Sequence, residues 1–198
     1  MAETFVVLVD ARNTFDMKYD SVKDAFENLS EEDFFDEIYQ SVVWHLEDYL
    51  GTEVEYFLPF DDAYCDDFVC GINNPEAIVE MAEGWNQAIL NCAESCIKGF
   101  EKAGEKAGLN SKSLFDILKY FENGGKVPGF TYDTALYELR QTLCALDGRI
   151  TYGSEHGIVL DCLNDVSTYE TSTKIDPSVL SDIKEHPENY AIISVIYK

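Results

Sequence analysis

Basic residues are scarce in this chain of 198: 14 Lys and Arg stand against 38 Asp and Glu, a formal charge of −24 at neutral pH. A nucleic-acid binder needs a basic stripe to neutralise phosphates, so that class is excluded as a direct role. An anionic membrane surface would repel the chain for the same reason. No apolar run approaches the ~18 residues of a membrane span. The opening residues, MAETFVVLVDAR, have no basic segment ahead of Phe5–Val9, so they do not read as a signal peptide. These gaps lead to the expectation of a cytoplasmic protein whose six cysteines are reduced.

Motifs are equally sparse. The sequence contains no P-loop, no G-x-G-x-x-G, no G-x-S-x-G and no Cys-x-x-Cys. Cys65 and Cys70 flank an acidic stretch, Cys92 and Cys96 lie one helical turn apart, and Cys144 and Cys162 stand alone, so the set reads as small buried apolar residues rather than zinc ligands. His45, His156 and His186 have no Ser or Cys at a recognisable spacing. Asp61, Asp62, Asp66 and Asp67 do not fall on the ligand positions of an EF-hand. No cofactor is expected.

What the chain does have is apolar content, 46% of residues with 13% aromatic, enough to build a core. Phe5–Val9 is a β-branched run that predicts a buried strand ending in Asp10. Ser30, with acids behind it, predicts a helix start, and Phe35, Ile38, Val42, Leu46 and Tyr49 continue at spacings of three or four until Gly51. A short helix is expected around residues 21–28, and a strand over 53–58 ending at Pro59. Further helices are predicted over 75–103, 111–122 and 133–146, the first opened by Pro75. Residues 149–152 and 158–162 read as a β-hairpin, Asp176-Pro177 as the cap of a short helix, and Tyr190–Tyr197 as a last strand. The sum is an α+β fold: a mixed or antiparallel sheet of four to six strands with a helical middle. We expect one domain, 1–198, comprising an acidic N-terminal lobe (1–70), a helical segment (75–146) and a C-terminal hairpin, helix and strand (148–198).

Charge is unevenly placed. Residues 1–70 hold 19 acids and 3 bases, residues 71–130 hold 8 and 6, and residues 131–198 hold 11 and 5. The total is several times the ~2 to 8 usual for a small domain. Carboxylates one helical turn apart lie ~6 Å from each other, close to the phosphate spacing of a nucleic-acid strand. Glu31, Glu32, Asp33, Asp36, Glu37, Glu47, Asp48, Asp61, Asp62, Asp66 and Asp67, with Phe34, Tyr39, Tyr64 and Phe68 among them, therefore form a candidate partner-binding face. The expected partner is a basic nucleic-acid-binding protein, such as a nuclease or a CRISPR or restriction effector. In size, acidity and lack of catalytic motifs the chain is similar to the DNA-mimicking inhibitors that phages and mobile elements direct against such systems. An immunity protein covering a basic toxin is the neighbouring possibility.

A catalytic alternative rests on strand ends. Apolar strands end in Asp10, in Asp61 and Asp62, and in Asp161, which as parallel neighbours would gather oxygen ligands for Mg²⁺ at one sheet edge. Val6-Val-Leu-Val-Asp10-Ala-Arg-Asn13 resembles the opening strand of PIN-like (NYN) metal nucleases, which end a similar run in Asp with Asn three residues on. That resemblance implies a Mg-dependent hydrolase using Asp10, Asp61, Asp62 and Asp161. Strands also end at polar turn residues for reasons of folding alone, which is the plainer account of all three.

Overall fold

The structure, a computed structural model, describes residues 3–13, 19, 24, 28–30, 33, 36, 37, 41, 42, 45, 46, 54–59, 75–149, 157–165 and 168–197. Its centre is a mixed five-stranded sheet of order β2-β5-β1-β3-β4, built from β1 (Glu3–Asp10), β2 (Val54–Pro59), β3 (Ile158–Asp161), β4 (Glu170–Ser172) and β5 (Tyr190–Tyr197). The β-branched run of β1 lies in the middle, where both faces are covered and continuous apolar character is required. It pairs parallel with β3, Val9 beside Leu160, and antiparallel with β5, Val9 beside Ala191. Among the described residues the helices that can be bounded are α1 (Pro75–Lys106), α2 (Leu114–Glu122), α3 (Tyr132–Leu146) and α4 (Pro177–Glu185), so the α+β reading with a helical middle holds.

Alternation along the strands sorts the core. Leu8, Val159, Ile192 and Tyr190 share one face and pack with Ile78, Ala82, Trp85 and Ile89 of α1 and Val179 and Ile183 of α4. Val7, Val9, Ile158, Leu160, Ala191 and Ile193 are buried on the other face. There His45 meets Thr171 at 2.7 Å and stacks edge-on against Tyr169. The far half of α1 carries a second cluster, in which Phe100 and Ala103 pack with Ile117, Phe121, Val127 and Leu139. Phe100, Phe121, Phe130 and Tyr132 meet there through ring contacts. Trp85 fixes the first half of α1 to the segment after β4 by donating Nε1–H to the Thr173 carbonyl at 2.9 Å.

Local signals explain the boundaries. Ser113 caps α2, its Oγ accepting the Asp116 N–H at 3.2 Å, so this helix begins at Leu114 rather than at Ser111, which sits at φ 64°. Pro177 occupies the first turn of α4 behind Asp176, as expected. The hairpin is placed differently from the sequence expectation. The antiparallel partner of β3 is β4, with Leu160 beside Thr171, and β1 takes the other side. Residues 150–152 lie outside the described residues, and β3 has no free side for them.

Gly157 is a close-packing position: a Cβ there would press into Trp85 and lie 2.8 Å from the Val6 carbonyl. Gly157→Val is expected to destabilise the fold by ~2 kcal/mol or more, as overpacking against backbone does, and urea unfolding would measure it.

Candidate functional site

Of the predicted acidic face, Asp33, Asp36 and Glu37 are described, and all three are helical, as are Ser41, Val42, His45 and Leu46. The Ser30 hydroxyl accepts the Asp33 N–H at 3.1 Å and donates to the Asp33 carboxylate at 2.6 Å, which makes Ser30 the expected cap. Asp33 and Asp36 are exposed, Glu37 is half-buried, and Val42 and Leu46 are fully buried. Among these helical residues the apolar side chains are inward, and Asp33 and Asp36 are in water. Glu31, Glu32, Phe34, Tyr39, Glu47, Asp48, Asp61, Asp62, Tyr64, Asp66, Asp67 and Phe68 lie outside the described residues.

The carboxyl edge of the sheet is described in more detail. β1 and β3 are parallel neighbours, so Asp10 and Asp161 end adjacent strands, as the metal-site expectation required. β2 runs in the same direction two places away, because both it and β1 are antiparallel to β5. Asp61 and Asp62, which follow it in sequence, are outside the described residues.

Asp10 is already engaged. It is fully buried, and its Oδ1 accepts from the Arg12 Nε at 2.8 Å while its Oδ2 accepts from the Arg12 Nη2 at 2.5 Å. The same Nη2 donates to Asp182 Oδ2 at 2.7 Å, and Tyr190 donates its hydroxyl to that oxygen at 2.5 Å. The Cys162 N–H adds a long contact of 3.5 Å to Asp10. Arg12 thus forks onto one carboxylate and bridges to a second, its guanidinium 5.7 Å from the centre of the Tyr190 ring. The hydrogen bond to Asp10 pushes the guanidinium's proton affinity up, against the opposing effect of burial. Burial, then Asp10 and Asp182, push the Tyr190 phenol up, so it serves as a donor. Burial and Asp10 also push the Cys162 thiol up to about 12, which leaves it protonated and unreactive at neutral pH.

This clasp was not foreseen. Its one sequence signal is that Arg12 is among only three bases in the first 70 residues and stands two positions after a strand-ending Asp. A cation entering at Asp10 would have to displace Arg12 first. Among the described residues no group of three or more His, Cys, Asp or Glu is arranged to hold a metal ion.

Asp161 differs from Asp10 in having no cation partner among the described residues. It is 7% exposed, and among the described residues its Oδ1 accepts the Leu163 N–H alone, at 3.4 Å. Burial pushes its carboxyl up, with Glu170, Asp10 and Asp176 adding to the rise and the Leu163 N–H opposing it. A carboxyl raised in the folded state favours folding only while protonated. Its contribution is full below the unfolded value, ~3.9, and is lost as pH rises through the folded value. At pH 7 the ionised group opposes folding. Asp161→Asn is therefore expected to raise the melting temperature at pH 7, by ~2 to 4 °C if the gain is about 1 kcal/mol, and to bring no gain near pH 3. A thermal scan at the two pH values checks it.

The cysteines are less buried than expected. Cys162 alone of the described four is buried, Cys96 and Cys144 are half-buried and Cys92 is exposed on α1, and all four are free thiols. Cys65 and Cys70 are outside the described residues. A thiol titration under denaturing, non-reducing conditions is expected to count six per chain. His186 is exposed, with its Nδ1 3.4 Å from Glu188, and His156 is outside the described residues. No helix among the described residues is long and apolar enough to cross a membrane. Compared with protein-family models, with curated proteins and with solved structures, the chain matches none.

Proposed function

We propose that this chain is an acidic inhibitor that binds a basic nucleic-acid-handling protein by standing in for DNA or RNA. The observation that carries this reading is the excess of 16 acids in residues 1–70, among which Asp33 and Asp36 are helical and exposed while the helical Val42 and Leu46 are buried. Excess charge of this size works against compactness through self-repulsion, so it calls for a use. A basic channel offers one. Its Lys and Arg side chains pair with carboxylates as they would with phosphates, and the opposed fields steer the two proteins together.

The test is cleavage of a DNA or RNA substrate by purified restriction and CRISPR nucleases in the presence of this protein. Inhibition is expected to be competitive with nucleic acid, strong at about 50 mM salt and at least tenfold weaker at about 500 mM, where the Debye length is only a few ångströms. A nuclease that binds this protein and its substrate together with unaltered affinities would overturn the mimicry.

The hydrolase reading has one geometric support, the adjacency of Asp10 and Asp161, and against it stands the grip of Arg12 on Asp10. Binding of Mg²⁺ to the folded state would raise the melting temperature by mass action, and with Asp10 engaged we expect no rise.

A further inference from the structure

The ends of α1, α2 and α3 are built alike. The chain leaves them through Gly108, Gly124 and Gly148, at φ 77°, 88° and 77°. After α2, Gly124 donates its N–H to the Phe121 carbonyl at 2.9 Å and Gly125 donates to the Tyr120 carbonyl at 3.0 Å, the paired bonds of a Schellman cap. Gly108 and Leu109 bond in the same way to Glu105 and Gly104, and Gly148 and Arg149 to Ala145 and Cys144. What differs is the residue ahead of the glycine: Ala107, Asn123 and Asp147 in turn.

An Asn-Gly pair can react with itself. The Gly124 nitrogen, giving its proton to a base in water, adds to the Asn123 Cγ; Nδ2 then leaves as ammonia, and a five-membered succinimide remains. Water opens that ring at either carbonyl, to aspartate or to isoaspartate. The sum is amide plus water giving carboxylic acid plus ammonia, with nothing oxidised or reduced. Glycine favours the first step because no Cβ shields its nitrogen and its backbone turns freely. Asn-Gly occurs once in the chain, and both residues are exposed to water. At the other two caps Ala107 has no group to attack, and the Asp147 carboxylate, paired with Arg149 at 2.9 Å, is a poorer electrophile than an amide.

The closed cap blocks that step. Asn123 has ψ 15°, which turns the Gly124 nitrogen toward the Asn123 nitrogen and away from Cβ, whereas ring closure needs it eclipsed with Cβ. The Gly124 N–H is held by Phe121, and the side-chain amide is held by donation from Nδ2 to the Lys119 carbonyl at 2.7 Å. We propose that Asn123 is a deamidation site gated by this cap, inert while the end of α2 is wound and reactive when it opens. Rewinding does not undo the change. Isoaspartate carries the main chain through Cβ, one atom longer, so the paired bonds of the cap no longer fit. Either product also sets a negative charge at a helix C-terminus, which the dipole opposes, and takes the formal charge from −24 to −25. Asn123 thus records how long the cap has stood open, an opening local to this end of α2.

The test is peptide mapping by mass spectrometry of the full chain, aged in buffer and in guanidinium chloride at one pH. In guanidinium the peptide holding Asn123 is expected to gain ~1 Da, with isoaspartate in the product as the mark of the ring. In buffer the same gain should come about tenfold more slowly or less, because only the open fraction reacts. Gly124→Ala should slow the reaction in guanidinium, since its Cβ shields the attacking nitrogen. Gly125→Ala leaves the reacting pair untouched, but its Cβ would press into the Tyr120 ring, so it should speed the reaction in buffer and leave the rate in guanidinium unchanged. Equal rates in buffer and guanidinium, a product free of isoaspartate, or a rate in buffer that Gly125→Ala does not raise overturns the proposal.

Discussion

Replacing Arg12 with alanine is expected to cost about 3 to 5 kcal/mol of folding stability, the largest single-site effect in the molecule. Asp10 is fully buried, and Arg12 supplies the fork that holds both its oxygens. Without the guanidinium, Asp10 keeps, among the described residues, the backbone N–H of position 12 at 3.2 Å and its contacts to the Cys162 N–H and thiol, none of which carries a positive charge. Asp182 would retain the Tyr190 hydroxyl and lose its cation. The result is an uncompensated charge in the core, and the loss exceeds any packing change because Arg12 itself is a quarter exposed. Arg12→Lys should recover part of the loss, since an ammonium restores the charge and not the fork. Urea midpoints with an unchanged m-value would measure both. A variant within about 1 kcal/mol of the parent would show that the clasp is not what holds the end of β1.

Reversing Asp61, Asp62, Asp66 and Asp67 to lysine is expected to abolish inhibition, with at least a hundredfold loss in affinity for the nuclease. Each reversal turns an attraction into a repulsion against a basic channel, and like-charge juxtaposition costs several kcal/mol across an interface. The four together take the formal charge from −24 to −16. The control is an equal change at Glu101, Glu105, Glu122 and Glu185, all exposed and none in the proposed face. If the face matters, the control should cost less than tenfold and act mainly through the association rate. Equal losses in both variants would mean that net charge, and no particular face, makes the contact.

The sequence reading succeeded where one element carries its own signal. The β-branched run of β1, the Pro75 start of α1 and the Asp176-Pro177 cap of α4 are local, and each appears where expected. It missed β4, Glu170-Thr-Ser172, because a three-residue polar edge strand has no apolar alternation to announce it. It paired β3 wrongly for a related reason. Ile158–Asp161 is buried at every position, the mark of an interior strand with neighbours on both sides, whereas a terminal hairpin would alternate. At the candidate sites, the Ser30 cap and the helical state of Asp33, Asp36 and Glu37 were legible because a helix start is local. The clasp was not, since Arg12 and Asp182 are 170 residues apart and only the folded sheet brings them together.

The place of β1 has a consequence for how the chain is made. Its antiparallel neighbour is β5, so the strand nearest the start of the sequence zips along all eight of its residues with the strand nearest the end. During synthesis at ~5 to 20 residues per second, Phe5–Val9 must wait roughly 10 to 40 s for that partner to emerge. Throughout that interval a bare β-branched segment is available to any passing strand edge. The 19 acids of the first 70 residues are already translated by then, and like charges beside a bare strand raise the cost of pairing it with another copy of itself before β5 arrives.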